Sequence, residues 1–319
     1  MNNYIKVSVI VITYNHEQFI KQALDSILMQ KVDFKYEILI GDDASTDRTP
    51  EILKEYKKLY PDIIDLHLNS VNLGATRNAY NLLMKANGEY IAACEGDDFW
   101  VDEYKLQIQV NFLDNNKNYI GCCHPCVIVD EQNKLSKHQK ISWISNKKIF
   151  TINDFKGYYL PGQVSTILRR NIYKNKEDYS IFYKAHKFIG DRTTILIYLA
   201  KGCFFKMDKC MSAYRIVEKN KENLTFLIYS GNNKVINELN YTLQLESYAN
   251  NVLKINAGFR SYKKVLFVDS IIAFMRRPSL RNINTIKTVL NNYKFPLDLL
   301  IYFPYGFIQK IYKKIIYEV

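Results

Sequence analysis

Val7 to Thr13 (VSVIVIT) is an almost unbroken apolar, β-branched run, the pattern of a strand buried on both faces. From Phe19 to Gln30 the period changes. Apolar residues at 19, 20, 23, 24, 27 and 28 share one face of a helix. Tyr36 to Ile40 predicts a second strand, closed by the polar run Gly41 to Asp47. Thr49 to Leu59 predicts a helix that tolerates Pro50 in its first turn. Ile63 to Leu68 is a third strand. Asn72-Leu73-Gly74 opens a helix reaching about Ala86, which Asn87-Gly88 ends. Glu89 to Cys94 is a fourth strand, and Tyr119 to Asp130 reads as one more. Beyond about Glu218 the pattern is helical and polar, then basic.

Apolar strands alternating with helices across short connections predict an α/β fold, a mostly parallel sheet covered on both faces. Ligands of such sheets bind beyond the carboxyl ends of the strands. The polar clusters fall at those ends: Thr13-Tyr14-Asn15, Asp42-Asp43, and Glu95-Gly96-Asp97-Asp98. The last is the most telling. Carboxylates leaving a buried strand repel one another and are costly to desolvate unless a cation offsets them. Oxygen ligands suit Mg²⁺ or Mn²⁺, which commonly serve a phosphate-bearing substrate. A solvated acidic turn capping the next helix is the plainer alternative. No G-x-G-x-x-G follows the first strand and no G-x-x-x-x-G-K-[ST] occurs, so dinucleotide and P-loop readings lose their main support.

Composition adds two points. The six cysteines show no framework spacing, which favours reduced, buried thiols and a cytosolic compartment. Cys123-x-x-Cys126 with His124 lacks a second ligand pair for zinc. The net charge of +12 is uneven: residues 254–319 carry +9 and the first 253 only +3. A separate job for the tail follows. No apolar run reaches transmembrane length, and Met1-Asn2-Asn3-Tyr4 leads into a strand with no expected signal peptide.

Val7 to Asn15, Gly41-Asp42-Asp43-Ala44-Ser45-Thr46-Asp47, Asn72-Leu73-Gly74 with Arg77-Asn78, and Gly88-Glu89-Tyr90-Ile91 leading to Glu95-Gly96-Asp97-Asp98-Phe99-Trp100 resemble family 2 glycosyltransferases. The resemblance is close over about 115 residues and looser to about residue 215. It implies a GT-A (Rossmann-like) fold, a nucleotide-diphosphate-sugar donor, and inverting transfer. It implies that Thr13, Tyr14 and Asn15 line the nucleotide site. Asp43, with Asp42 beside it, would accept a hydrogen bond from the uracil N–H, and Arg77 would stand at the nucleotide. Glu95-x-Asp97 matches the D-x-D motif, giving Glu95 the ribose and Asp97 the metal, with Asp98 as a further ligand or a supporting acid.

Inverting transfer needs a base, because the acceptor hydroxyl loses a proton as it attacks the anomeric carbon. Asp191, after Gly190 and before the apolar run Thr194 to Leu199, matches the family's base. N-capping of that helix is a role it could also fill. His186 is a second candidate, and Pro161 to Arg170 resembles the segment lining the acceptor side.

The expected organisation is a catalytic domain over 1–217 and a helical, basic, aromatic region over 218–319. The stretches Phe267 to Met275 with Arg276-Arg277, and Phe295 to Ile316 with Lys310, Lys313 and Lys314, suit an anionic membrane surface or a second subunit. Charge alone, without a binding motif, does not make a nucleic-acid partner. The reading is a metal-dependent, inverting hexosyltransferase with a UDP-sugar donor. It would act on a glycan or lipid-linked hydroxyl in surface polysaccharide synthesis, at the inner face of the cell membrane. A non-catalytic partner subunit of an active transferase is the alternative. A sugar-nucleotide nucleotidyltransferase would want a Gly-rich basic loop where Thr13-Tyr14-Asn15-His16 stands.

Overall fold

The computed structural model describes residues 4–137, 139–175, 177–217, 234–293, 298–299 and 301–308. The order begins β1 (Val7–Thr13), α1 (Ile20–Leu28), β2 (Tyr36–Asp42), α2 (Thr49–Leu59), β3 (Ile64–Leu68), α3 (Ala75–Leu83) and β4 (Tyr90–Ala93). It continues with β5 (Phe99–Trp100), α4 (Lys105–Asn115), β6 (Tyr119–Cys123), β7 (Cys126–Val129), β8 (Ile149–Phe150), α5 (Ile152–Phe155) and β9 (Leu168–Arg170). Then come α6 (Ile181–Lys184), α7 (Asp191–Leu199), β10 (Cys203–Lys206), β11 (Ser212–Arg215), α8 (Lys234–Tyr248), α9 (Phe259–Arg276) and α10 (Leu280–Asn291).

Eight strands form one sheet in the order β3-β2-β1-β4-β9-β6-β10-β8. The first four run parallel, and β9 lies antiparallel between β4 and β6. Chain order reverses between β1 and β4, so the strand ends there splay apart and leave a crevice. A small sheet, β5-β11-β7, follows the acidic run directly.

Strand alternation sorts the side chains. Val7, Val9 and Val11 of β1, with Ile38 and Ile40 of β2, pack on α1, α2 and α4 through Ile20, Leu24, Leu53, Leu106 and Val110. Ile10 and Ile12 have the opposite parity and line a cleft on the α3 and α7 side. The single strand expected over Tyr119 to Asp130 is instead β6 and β7, in different sheets. Pro125 has no N–H to donate to a ladder, so the chain changes sheets at His124-Pro125.

Two compact units divide the chain. The first holds residues 1–136, 144–151 and 160–216, and the second holds 137–143, 152–159 and 217–319. Sequence reading did not place 152–159 with the helical region. Tertiary contacts do: Phe155 meets Phe259 edge-on and Tyr158 stacks on Tyr262. The core of the second unit joins α8, α9 and α10 through Val235, Leu239, Leu266, Phe267 and Val289. The expectation for Phe295 to Ile316 falls largely outside the described residues, as does 218–233.

Candidate active site at the strand ends

Loops leaving β1 and β2 are tied together by short polar side chains. Asn15, at φ 55°, accepts from the Thr46 N–H at 2.8 Å, and its own N–H donates to Ser45 Oγ at 2.9 Å. Asn tolerates this left-handed conformation better than most residues. Asp42 accepts from the Ser45 N–H and hydroxyl. Burial is the main influence raising the Asp42 carboxyl, against which the Ser45 bonds pull down.

Asp43 is buried, and three protein donors reach it. It accepts from the N–H groups of Leu73 and Gly74, both at 2.8 Å, and from Asn69 Nδ2 at 3.2 Å. It thereby anchors the turn that starts α3. Gly74 takes φ 88°, and a Cβ there would collide with Lys187, so the turn requires glycine. Arg77 is exposed on α3, with its guanidinium over the Tyr183 ring at 4.0 Å.

The acidic run leaves β4 between β1 and the small sheet. Its four residues have four different environments. Glu95 lines the cleft, and among the described residues no hydrogen bond reaches its carboxyl. Burial, then Asp98, Asp97 and Asp191, push its pKa well above the usual carboxylate range. Gly96 lets the chain pass close by: a Cβ would lie 2.7 Å from both His16 Nδ1 and Thr13 Oγ1. Asp97 is part-exposed, with Oδ2 3.9 Å from His16 Nε2.

Asp98 faces inward. Its Oδ2 accepts from Gln163 Nε2 and Ser165 Oγ, both at 2.7 Å, and its Oδ1 accepts from the Arg215 N–H at 2.9 Å. Burial lifts this carboxyl to about 7, with Asp97 adding to the rise and the three donors opposing it. Its oxygens are occupied by protein donors, unlike those of Asp97.

Arg215 fastens the segment from behind. It is buried at the end of β11, and its Nε donates to the Asp97 carbonyl at 2.8 Å. Its other nitrogens donate to the Asp130 carbonyl at 2.9 Å and Gln22 Oε1 at 2.8 Å. The guanidinium lies 4.6 Å from the Phe19 ring centroid. Sequence reading passed over Arg215, because its partners lie more than 80 residues away in the chain. Gln163 and Ser165 enter the sequence reading only within the acceptor-side segment, and His16 only within Thr13-Tyr14-Asn15-His16.

Asp191 opens α7, exposed at the cleft mouth. Surrounding protein raises its pKa, while Arg169 and Arg192 pull it down. Asp191 and Glu95 line the same cleft, which is open to solvent on one side. Ile12, Ala79, Leu83 and Phe182 make much of the wall apolar, and Arg169 adds a buried guanidinium. His186, the second base candidate, uses Nδ1 to accept from the Phe188 and Ile189 N–H groups at 3.1 and 2.9 Å. That is a turn-holding role, and it sets the proton of a neutral ring on Nε2.

Thr13, Asn15 and Asp97 thus gather at one end of the sheet with Glu95 and Asp191. Asp42, Asp43 and Asp98 shape the loops from within. Among the described residues no three His, Cys, Asp or Glu side chains converge as a preformed metal site. A divalent ion would still fit at Asp97: one available carboxylate beside mutually repelling acids suits a hard cation whose other ligands are phosphate and water. All six cysteines are free, and burial raises the thiols of Cys94, Cys122 and Cys123.

Comparison with known proteins bears on the family and the fold. The profile of glycosyl transferase family 2 matches residues 8–175. An uncharacterised protein of Mycobacterium tuberculosis is 42% identical over 138 residues, 43% of this chain and 40% of its own length. The chain therefore spans less than half of that relative. A Campylobacter jejuni protein named GalNAc(5)-diNAcBac-PP-undecaprenol beta-1,3-glucosyltransferase is 26% identical over 221 residues, 69% of this chain and 67% of its own. Residues 1–349 of TarS from S. aureus, crystallised with UDP-GlcNAc, share the fold. The TM-score is 0.62 at 16% identity, covering 90% of this chain and 80% of that one.

Proposed function

The chain belongs to glycosyl transferase family 2, and from that premise we infer that it moves a sugar from a nucleotide diphosphate to a hydroxyl group. The observation that carries the reading is the meeting of Glu95 and Asp191 in one cleft, with Asp97 two residues from Glu95. The nucleotide would lie over Thr13, Tyr14 and Asn15, with Arg77 at its edge and Glu95 toward the ribose. Asp43, with Asp42 beside it, would accept a hydrogen bond from the uracil N–H while both hold the surrounding loops. The proposed donor is a UDP-sugar, the donor class of the crystallised fold neighbour.

Asp97 would hold Mn²⁺ or Mg²⁺, which when bound neutralises charge on the diphosphate. Asp98 supports it from inside rather than by ligation. Asp191 accepts the proton of the acceptor hydroxyl as that oxygen forms its bond to the anomeric carbon. The carbon–phosphate oxygen bond breaks on the opposite face, giving inversion. Arg169 and Arg192 favour the anionic form of Asp191, the form that accepts a proton.

The proposed acceptor is a glycan or lipid-linked hydroxyl in surface polysaccharide synthesis. The Campylobacter relative, named for an undecaprenol-linked substrate, supports this. The proposed place of action is the inner membrane face, with the second unit at the surface. Among the described residues no helix is long and apolar enough to cross a membrane.

The test is hydrolysis and binding of UDP-, GDP- and dTDP-sugars, with Mn²⁺ and with EDTA. Metal-dependent selection of one donor is expected. Folded protein that binds no donor in the presence of metal would overturn the reading.

A further inference from the structure

In the second unit α9 and α10 form a helical hairpin closed by Arg277-Pro278-Ser279. The turn is well fixed. Ser279 Oγ accepts from the Asn282 N–H at 3.2 Å, an N-cap on α10. Asn282 Nδ2 donates back to the carbonyls of Ala273 and Arg277 at 3.2 and 2.8 Å. The body of the hairpin is buried through Leu266, Phe267 and Val289.

At its tip the pattern inverts. Met275 is 60% exposed and Leu280 80% exposed, on either side of the turn. Arg276, Arg277 and Arg281 are exposed around them, and none forms an ion pair with a described residue. No acidic residue occurs between Asp269 and Asp298. The tip thus holds two exposed apolar side chains among three arginines that form no ion pair with a described residue.

We propose that the 275–281 hairpin tip is the element that docks this protein on an anionic lipid bilayer, Met275 and Leu280 entering the interface while the three arginines meet headgroup phosphates. The inference rests on the reading of the second unit as the membrane-facing one, and it names the surface and the lipid chemistry. Arginine suits phosphate because its planar fork presents paired donors. Apolar side chains gain only where they leave water, so both features are used at once at a bilayer interface. A second copy is a poor occupant, since two such tips would bring six like charges together. A nucleic acid would use the charge and leave Met275 and Leu280 in water. A second apolar face in the same unit points the same way: Ile301, Tyr305 and Ile308 share one face of the helix over 301–308, at 79%, 59% and 66% exposure.

The experiment is sedimentation of the full chain with vesicles of phosphatidylcholine alone and of phosphatidylcholine with about a third phosphatidylglycerol. Wild type is compared with Met275→Ser/Leu280→Ser and with Arg276→Ser/Arg277→Ser/Arg281→Ser. Donor hydrolysis in solution is followed in parallel. Wild type is expected to bind anionic vesicles at least about tenfold more tightly than neutral ones, and each variant to lose about tenfold or more. Hydrolysis should be unchanged in both variants, which shows that the catalytic unit is intact, and unchanged helical circular dichroism shows that the second unit folds.

Anionic binding retained by both variants overturns the tip assignment alone. Failure of wild type to bind anionic vesicles overturns the membrane reading of the whole unit. So does a dimer that the serine variants abolish, or tighter binding to single-stranded RNA than to vesicles. Vesicle binding without hydrolysis of any donor would count against glycosyl transfer and leave the docking surface standing.

Discussion

Replacing Arg215 with methionine tests whether the acidic run is held from behind. The guanidinium makes three hydrogen bonds of 2.8–2.9 Å, to the Asp97 carbonyl, the Asp130 carbonyl and Gln22 Oε1. Met keeps an apolar stem against Phe19, so the packing loss is partial. Hydrogen bonds to a charged group contribute about 1.5–3 kcal/mol each, and three removed together, with partial relaxation, should cost about 3–5 kcal/mol. Total stabilities are typically about 5–15 kcal/mol, so the variant should fold but with a clearly lower urea midpoint. The two tryptophans give a clean readout. Trp100 is buried in the first unit and Trp143 belongs to the second, so a Trp143→Phe background reports the first unit alone. With a slope of about 2–3 kcal/mol per M, the midpoint should fall by about 1–2 M. The main-chain N–H of Arg215 still reaches Asp98, so the loss should fall on Asp97 and appear as weaker metal-dependent donor binding. A midpoint within about 0.3 M of wild type, with unchanged donor affinity, would refute the clamp.

Other outcomes follow from the same contacts. Asp97→Ala should abolish metal-dependent donor binding, whereas Asp191→Asn should keep donor binding, measured calorimetrically, and lose turnover by at least about a hundredfold; normal turnover in Asp191→Asn removes the base assignment. Gly96→Ala places a methyl group against His16 and Thr13, so donor affinity should fall while the urea midpoint changes less. Lys105 is fully buried beneath the Trp100 ring, and burial lowers its pKa to about 7. The unfolded chain then holds a proton that the folded chain has released between about pH 7 and the ordinary lysine value near 10.5. Stability should therefore rise with pH through that window, by about 2 kcal/mol from pH 7 to 9, and Lys105→Met should remove the rise and be the more stable protein at pH 6 by urea unfolding.

Local pattern was enough for β1 to β4 and for the helices between them. A strand covered on both faces must be apolar throughout, and a covering helix must repeat near 3.6, whatever lies elsewhere in the chain. Tyr119 to Asp130 misled because its composition is strand-like on both sides of His124-Pro125, and a change of sheet leaves no periodic trace. Buried polar residues misled differently. Lys105 and Gln109 sit on α4 where a helix would be expected to show lysine to water, yet they bond each other at 2.8 Å in the interior.

At the site, the sequence alone determined which residue types stand at the strand ends, because parallel connections bring those ends to one edge of the sheet. It thereby singled out Glu95, Asp97 and, through the resemblance, Asp191. The surroundings of each carboxylate were decided only by tertiary structure. Asp43, Asp97 and Asp98 are alike as text, yet two accept from buried protein donors and the third stands part-exposed near His16. The difference lies in which N–H and O–H groups arrive from residues 73–74, 163–165 and 215. A charge's role depends on its desolvation and its partners, and the partners are chosen by the fold rather than by neighbours in the chain.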